Sequence, residues 1–245
     1  MYDLHCHLLP GIDDGPETVA ESVALVRAAM ADGITHAIVT PHIHNGRWDN
    51  DIASIGKAGR ALGQALREQN IPLRLKAAAE VRLDAELPAM VKANRLLFLG
   101  YWEQHQILLL EMPHGRVLPG TDKMIAWLRK NHIIPMIAHP ERNREIMKNP
   151  AKLKPLLKEG CLLQVTAGSL VGQFGEGAQR IAKALLDEDL ITILASDAHN
   201  IKNRPPNLAA GYEEVARVVG DERADRLLHH NSRMIFESSI SPYIH

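Results

Sequence analysis

Two histidines two residues apart, His5 and His7, open this chain, and Asp14 follows them. Further along, His42, Glu80, Glu111 and His139 each close a short apolar run, and Asp197 and His199 close another. Imidazole and carboxylate together suit divalent zinc, manganese or iron and require no thiolate. Each residue taken alone reads as structural or solvated; the joint placement at the ends of six apolar runs points to metal. Nine side chains are too many for one ion. With a bridging carboxylate they are enough for three, leaving positions for water or substrate. Four carboxylates do not neutralise three divalent ions, so such a cluster would stay positive and draw in an anion such as phosphate.

Residues so far apart in sequence need a scaffold that gathers strand ends. The apolar runs predict strands over 2–5, 34–40, 73–80, 107–111, 133–138, 161–166 and 191–196. Helical patterns fall between them, over 17–32, 50–69, 85–94, 121–131, 151–159 and 177–186, with one or two closing helices after Leu208. The runs are continuous rather than alternating, as in strands buried on both faces. Sustained strand–helix alternation argues a parallel sheet with crossover helices, and seven such units are expected. In a β/α barrel the residues just past the C-terminal strand ends face one mouth. His5 and His7 then leave the same face of an extended segment, and Cys6 points away and packs. The sixth strand ends in Thr166 with no strong ligand.

The chain of 245 residues fits one domain spanning 1–245, without repeats or linkers. Lys and Arg number 28 against 29 Asp and Glu, and aromatics make up 4%, which argues against a nucleic-acid partner. No apolar run is long enough to span a bilayer. Two cysteines, Cys6 and Cys161, are too few for a secreted disulfide scaffold, so a cytoplasmic location is expected. A strand starting at Tyr2 leaves no room for a presequence. Oligomeric state is not legible.

The motifs Asp3-Leu4-His5-Cys6-His7, Thr40-Pro41-His42, Ala79-Glu80, Leu110-Glu111, Ala138-His139-Pro140-Glu141-Arg142-Asn143 and Ser196-Asp197-Ala198-His199-Asn200 resemble, in order, the polymerase-and-histidinol-phosphatase (PHP) family of metal-dependent phosphoesterases. Within it the chain most resembles bacterial tyrosine-protein phosphatases encoded with capsular and exopolysaccharide genes, on the stretch from His5 to Gly15 and on Thr166-Ala167-Gly168-Ser169-Leu170. The resemblance implies an α/β fold, a distorted (β/α)7 TIM-like barrel, with a trinuclear site at the C-terminal mouth of the strands. One metal would take His5, His7, Glu80 and Asp197. A second would take Glu80 as a bridge, with Glu111 and His139. The third would take Asp14, His42 and His199. Arg142 and Arg204 match arginines placed to hold the phosphate. The implied partner is a phosphotyrosine protein, an autophosphorylating bacterial tyrosine kinase. After His42 the loop 43–48 departs from better-known members, so the resemblance speaks to metal binding more than to substrate choice.

The chemistry expected is attack of a metal-activated water on phosphorus, with the two arginines clamping the non-bridging oxygens. A tyrosyl leaving group, of pKa about 10, needs little proton help; His44 is the candidate if an acid acts. Histidinol-phosphate phosphatase is the alternative within the family, and a non-catalytic metal- or phosphate-binding regulatory module the alternative outside it. An amidohydrolase would want a carboxylated lysine where strand four ends in Glu111. Cysteine-based phosphatase chemistry fails, because neither cysteine has an arginine six residues on. His36 reads as packed, and His105, His114, His132, His229, His230 and His245 as loop or helix surface, although His114, three past Glu111, is also placed to line the mouth. Arg142 also has Glu141 and Glu145 within reach as ion-pair partners.

Overall fold

A computed structural model describes residues 1–241, 244 and 245. Its strands are β1 (Tyr2–Cys6), β2 (His36–Val39), β3 (His42–Ile43), β4 (Arg74–Ala77), β5 (Glu80–Arg82), β6 (Tyr101–Trp102), β7 (His105–Glu111), β8 (Ile133–Ala138), β9 (Leu162–Thr166) and β10 (Ile193–Ala195). Two parallel sets form, β1-β2-β4 and β3-β5-β7-β8-β9-β10, with β6 antiparallel on β7.

These sets are arcs of one ring. The strand expected over 34–40 is β2, and past Pro41 a further short strand, β3, resumes; residues 73–80, expected as one strand, are interrupted. Pro41 has no N–H to give the ladder, which divides β2 from β3. The pairing continues across the breaks, with Ala78 N donating to Val39 O at 2.9 Å and Glu80 N to Pro41 O at 3.1 Å. At the other seam, Asp197 N donates to His5 O at 2.8 Å and His7 N to Ala198 O at 2.9 Å. The described parallel strands therefore follow one another around a closed, distorted barrel, as expected.

Inside the ring Leu4, Ile38, Ala78, Leu109, Met136 and Ile193 pack with Ile235 and Phe236. The last two belong to the helix Asn231–Ser238, which stoppers the floor. His36 lies there too, stacked on Tyr2 at 4.4 Å and edge-on to Phe236. It is packed as expected, but at the start of its strand. A larger apolar layer fills the space between ring and helices. The register of β1 shifts between Asp3 and Cys6. Such an irregularity re-aims side chains: Leu4 enters the interior cluster while His5 and His7 reach the mouth.

The helix expected over 17–32 runs Val19–Ala31, opened by a reciprocal capping box between Thr18 and Glu21. The helix expected over 151–159 is instead a 3-10 turn, Pro150–Leu153, followed by a short helix, Lys154–Lys158. Pro155 cannot donate back to Ala151, so the α ladder does not run through. His105 begins a strand, and His245 is half-buried with Nε2 against Ile71 O at 2.6 Å; neither is a loop-surface residue. The edge of β4 away from β2 pairs with residues 244 and 245, Ile244 N donating to Leu75 O at 2.8 Å and Leu75 N to His245 O at 3.1 Å.

Because Phe236 closes the ring interior, Phe236→Ala is expected to cost about 3–5 kcal/mol. Urea denaturation, followed by circular dichroism, measures it; a loss under about 1 kcal/mol would mean the floor repacks.

Candidate metal centre

All nine ligand candidates arrive at one mouth. His5 and His7 come from the end of β1, His42 from β3, Glu80 from β5, Glu111 from β7, His139 from just past β8, and Asp197 and His199 from just past β10. Asp14 enters from the loop after β1 and is 40% exposed, whereas the other eight are buried. Their ligand atoms fall into four overlapping groups, each within 4.8 Å: His7, Asp14, His42 and His199; His5, His7 and Glu80; His5, His139 and Asp197; His42, Glu80 and Glu111. Every expected ligand belongs to at least one group. The partition differs from the one the resemblance implies, with His7 beside Asp14 and His139 beside Asp197.

Two of these residues sit in backbone conformations that L side chains rarely adopt. His139 has φ 33° and Asp197 φ 52°. Neither is glycine, so each stores strain of order 1–3 kcal/mol, of the kind that clusters at functional sites. The loop after β1 is equally constrained: a Cβ on Gly15 would lie 2.7 Å from His7 O.

The groups that orient the ligands were not expected. Asp13 Oδ2 is 2.7 Å from His7 Nδ1 and also accepts from His42 N at 3.1 Å. Gln164 Oε1 is 2.8 Å from His5 Nδ1 and accepts from His139 N at 3.2 Å. Such partners fix the tautomer and ring plane of a metal-binding histidine. Asp3 accepts from Ser196 N at 2.9 Å and tethers the loop carrying Asp197; burial raises its carboxyl to about 6, its hydrogen bonds to Ser196 notwithstanding. Gln164 had a signal, a lone polar residue inside the apolar strand β9. Asp13 had only its adjacency to Asp14.

Burial works against the charged form of every group here. In His7 the Asp13 carboxylate outweighs it and holds the imidazole well above its usual value. In His5, Glu80 and Asp197 outweigh burial and raise the imidazole. Burial and Arg142 push His139 down to about 3, and burial and His7 push His199 down to about 4. Burial would raise Glu80, but His5, His42 and His139 together hold it well below the carboxylate range. Burial and the Glu80 charge raise Glu111.

Among the described residues, four buried atoms of this cluster have no hydrogen-bond partner: His42 Nδ1, Glu80 Oε2, Asp197 Oδ1 and His199 Nε2. His42 Nδ1 and Glu80 Oε2 are 3.0 Å apart, yet not in hydrogen-bonding geometry. Buried polar atoms left unpaired cost free energy, and all four are of the type a divalent ion takes. The residues present fit a metal.

Arg142 and Arg204 both donate to Asp197 Oδ2, Arg204 at 2.5 Å. Arg142 therefore pairs with neither Glu141, which accepts from Thr166 N and Ser169 Oγ, nor Glu145, which holds Lys152. Its guanidinium also lies 4.6 Å over Phe174. Arg204 Nε is a buried donor without a partner among the described residues. A cavity of about 90 Å³ opens over the cluster, and its wall includes both arginines, Arg82, His44 and His114. His114, expected at the surface, is 57% exposed but reaches within 3.7 Å of Glu111.

A parallel β/α ring with histidines and carboxylates converging at its C-terminal mouth defines the class of β/α-barrel metal-site proteins. Residues 1–237 match the model of the CpsB/CapC family of capsular polysaccharide synthesis, and the chain belongs to that family. It is 38% identical over 204 residues to the tyrosine-protein phosphatase YwqE of Bacillus subtilis (strain 168), covering 83% of this chain and 79% of that one. It superposes with a TM-score of 0.90 and 33% identity, over 99% of this chain and 97% of the other, on a crystal structure from the pair YwqE of Bacillus subtilis and CpsB of Streptococcus pneumoniae, described as unique metal-dependent tyrosine phosphatases. The organophosphorus hydrolase of Deinococcus radiodurans shares the fold at 17% identity, with a TM-score of 0.52 over 96% of this chain and 92% of that one.

Metal uptake is expected to release protons at pH 7. Ligation must displace the proton that the Asp13 carboxylate holds on His7, and His5 is shifted in the same direction, whereas His139 and His199 are already neutral. Affinity for manganese should rise with pH through neutrality. Calorimetric heats of binding should depend on buffer ionisation enthalpy; heats that do not would refute these charge states.

Proposed function

We propose that this chain is a metal-dependent protein-tyrosine phosphatase acting on an autophosphorylated bacterial tyrosine kinase of capsule or exopolysaccharide synthesis. The observation that carries the reading is nine metal-type ligands clustered at one mouth, beneath a cavity whose wall includes Arg142 and Arg204, in a chain 38% identical to a tyrosine-protein phosphatase over most of its length. The relatives favour it over the histidinol-phosphate alternative. No helix among the described residues is long and apolar enough to cross a membrane. Cys6 and Cys161 are free and buried, which suits a cytoplasmic enzyme.

In this reading His5, His7, Asp14, His42, Glu80, Glu111, His139, Asp197 and His199 hold three divalent ions, of manganese, zinc or iron. Ions bound there acidify water and offset the charge on a phosphate. Asp197 divides its two oxygens: Oδ2 is fixed by Arg142 and Arg204, and Oδ1 faces His5 and His7 at 3.3 and 3.5 Å. The arginine N–H groups not spent on Asp197, Arg204 Nε among them, hold the phosphate oxygens. A guanidinium fork suits that task and keeps its charge at any working pH. Burial, Arg82 and Arg47 lower the pKa of His44, so at pH 7 it is mainly the neutral imidazole and carries no proton to give as a general acid. The phenolate of tyrosine leaves without needing it.

The manganese-loaded protein is expected to hydrolyse a phosphotyrosine peptide in preference to histidinol phosphate, and to lose the activity in chelator. The opposite preference would transfer the function to alkyl phosphomonoesters while keeping the site. Arg142→Ala is expected to lower kcat by about 10²-fold or more, as for removal of one donor to a developing oxyanion. Retention of activity in that variant, with metal content unchanged, would remove Arg142 from phosphate binding.

A further inference from the structure

Four arginines line the mouth: Arg47, Arg82, Arg142 and Arg204. Three are committed to carboxylates of the cluster. Arg142 and Arg204 hold Asp197, and Arg82 holds Glu111 at 3.0 Å. Arg47 is exposed and, among the described residues, has no carboxylate partner. The nearby acids are engaged elsewhere: Asp49 accepts from Gly46 N at 2.7 Å, and Asp84 from Asn45 Nδ2 at 2.8 Å and Glu86 N at 2.8 Å.

The mounting of Arg47 is nonetheless fixed. His44 and Trp48 exchange backbone hydrogen bonds of 3.0 and 2.8 Å across a tight turn, with Gly46 at φ 76°. The Trp48 ring lies parallel to His42, 4.5 Å away with 6° between planes. The Arg47 guanidinium sits 4.0 Å over the same indole. A guanidinium stacked on an indole keeps its in-plane N–H donors available to a carboxylate.

We infer that Arg47, held on Trp48, selects substrates carrying an acidic side chain next to the phosphotyrosine. The inference rests on the phosphatase reading and adds a determinant outside the metal cluster. A phosphotyrosine whose phosphate reaches Arg142 and Arg204 brings its neighbours in the peptide to the rim where Arg47 stands. The pair forms in a wet, partly screened place, so its effect is a preference.

The test compares kcat/KM of the full chain, loaded with manganese, on phosphotyrosine peptides identical except for Glu, Gln or Lys flanking the phosphotyrosine, with p-nitrophenyl phosphate alongside. A Glu-to-Gln ratio of about two- to fivefold is expected, the range of an exposed ion pair. It should shrink toward one in about 0.5 M salt. The ratio should fall to one in Arg47→Ala and invert in favour of the Lys peptide in Arg47→Glu. Ratios taken within one enzyme cancel any general loss of rate. Turnover of p-nitrophenyl phosphate without a Glu preference, or a preference that survives in Arg47→Ala, would overturn this inference and leave the phosphatase reading standing. No turnover of any substrate by metal-loaded protein would overturn both.

Discussion

Three carboxylates and five imidazoles buried together at one end of a barrel are the constraint on which the rest of this structure turns. Charges taken out of water cost several kcal/mol each unless they are paired. Here the pairing is nearly complete but has gaps. Asp13 and Gln164 hold the outer nitrogens of His7 and His5, and two arginines hold the outer oxygen of Asp197. The inward-facing atoms of His42, Glu80, Asp197 and His199 are left over. A fold that anchors the backs of its polar groups and leaves their fronts unpaired is organised around something that completes them. In the proposed function that is a set of divalent ions.

The scaffold follows from this requirement. Only a closed parallel ring brings the ends of so many separate strands within a few ångströms, and the strained backbones of His139 and Asp197 are the local consequence. Both residues turn inward at the first opportunity after their strands end. The apolar interior and the helix carrying Phe236 supply stability below, so the polar mouth does not have to.

Much of this was legible in the sequence because it is written in residue type and position relative to apolar runs. His42 after Pro41, Glu80 after a run of alanines and His139 before Pro140 all declare themselves as strand ends. The short strand past Pro41 and the break in the third strand were not legible, because Pro41 reads as a terminator and the pairing that resumes past it is a tertiary fact. Arg82 and Asp13 were missed for a related reason. Charged residues beside a ligand look like ordinary solvated neighbours until the fold shows which way they point. The partition of ligands into groups is also a matter of distances, and spacing in the chain carries no distance across a barrel.

The seam of the ring has a further meaning for how the molecule is made. Asp3 and Ser196, which meet there, are 193 residues apart. Contacts so distant are late to form, because the loop between them must first be closed. On a ribosome the amino-terminal histidines emerge long before Asp197 and His199 exist. The early chain can gather only part of the donor set, and the group of His5, His139 and Asp197 waits for the final strand. Completion of the centre thus coincides with completion of the barrel.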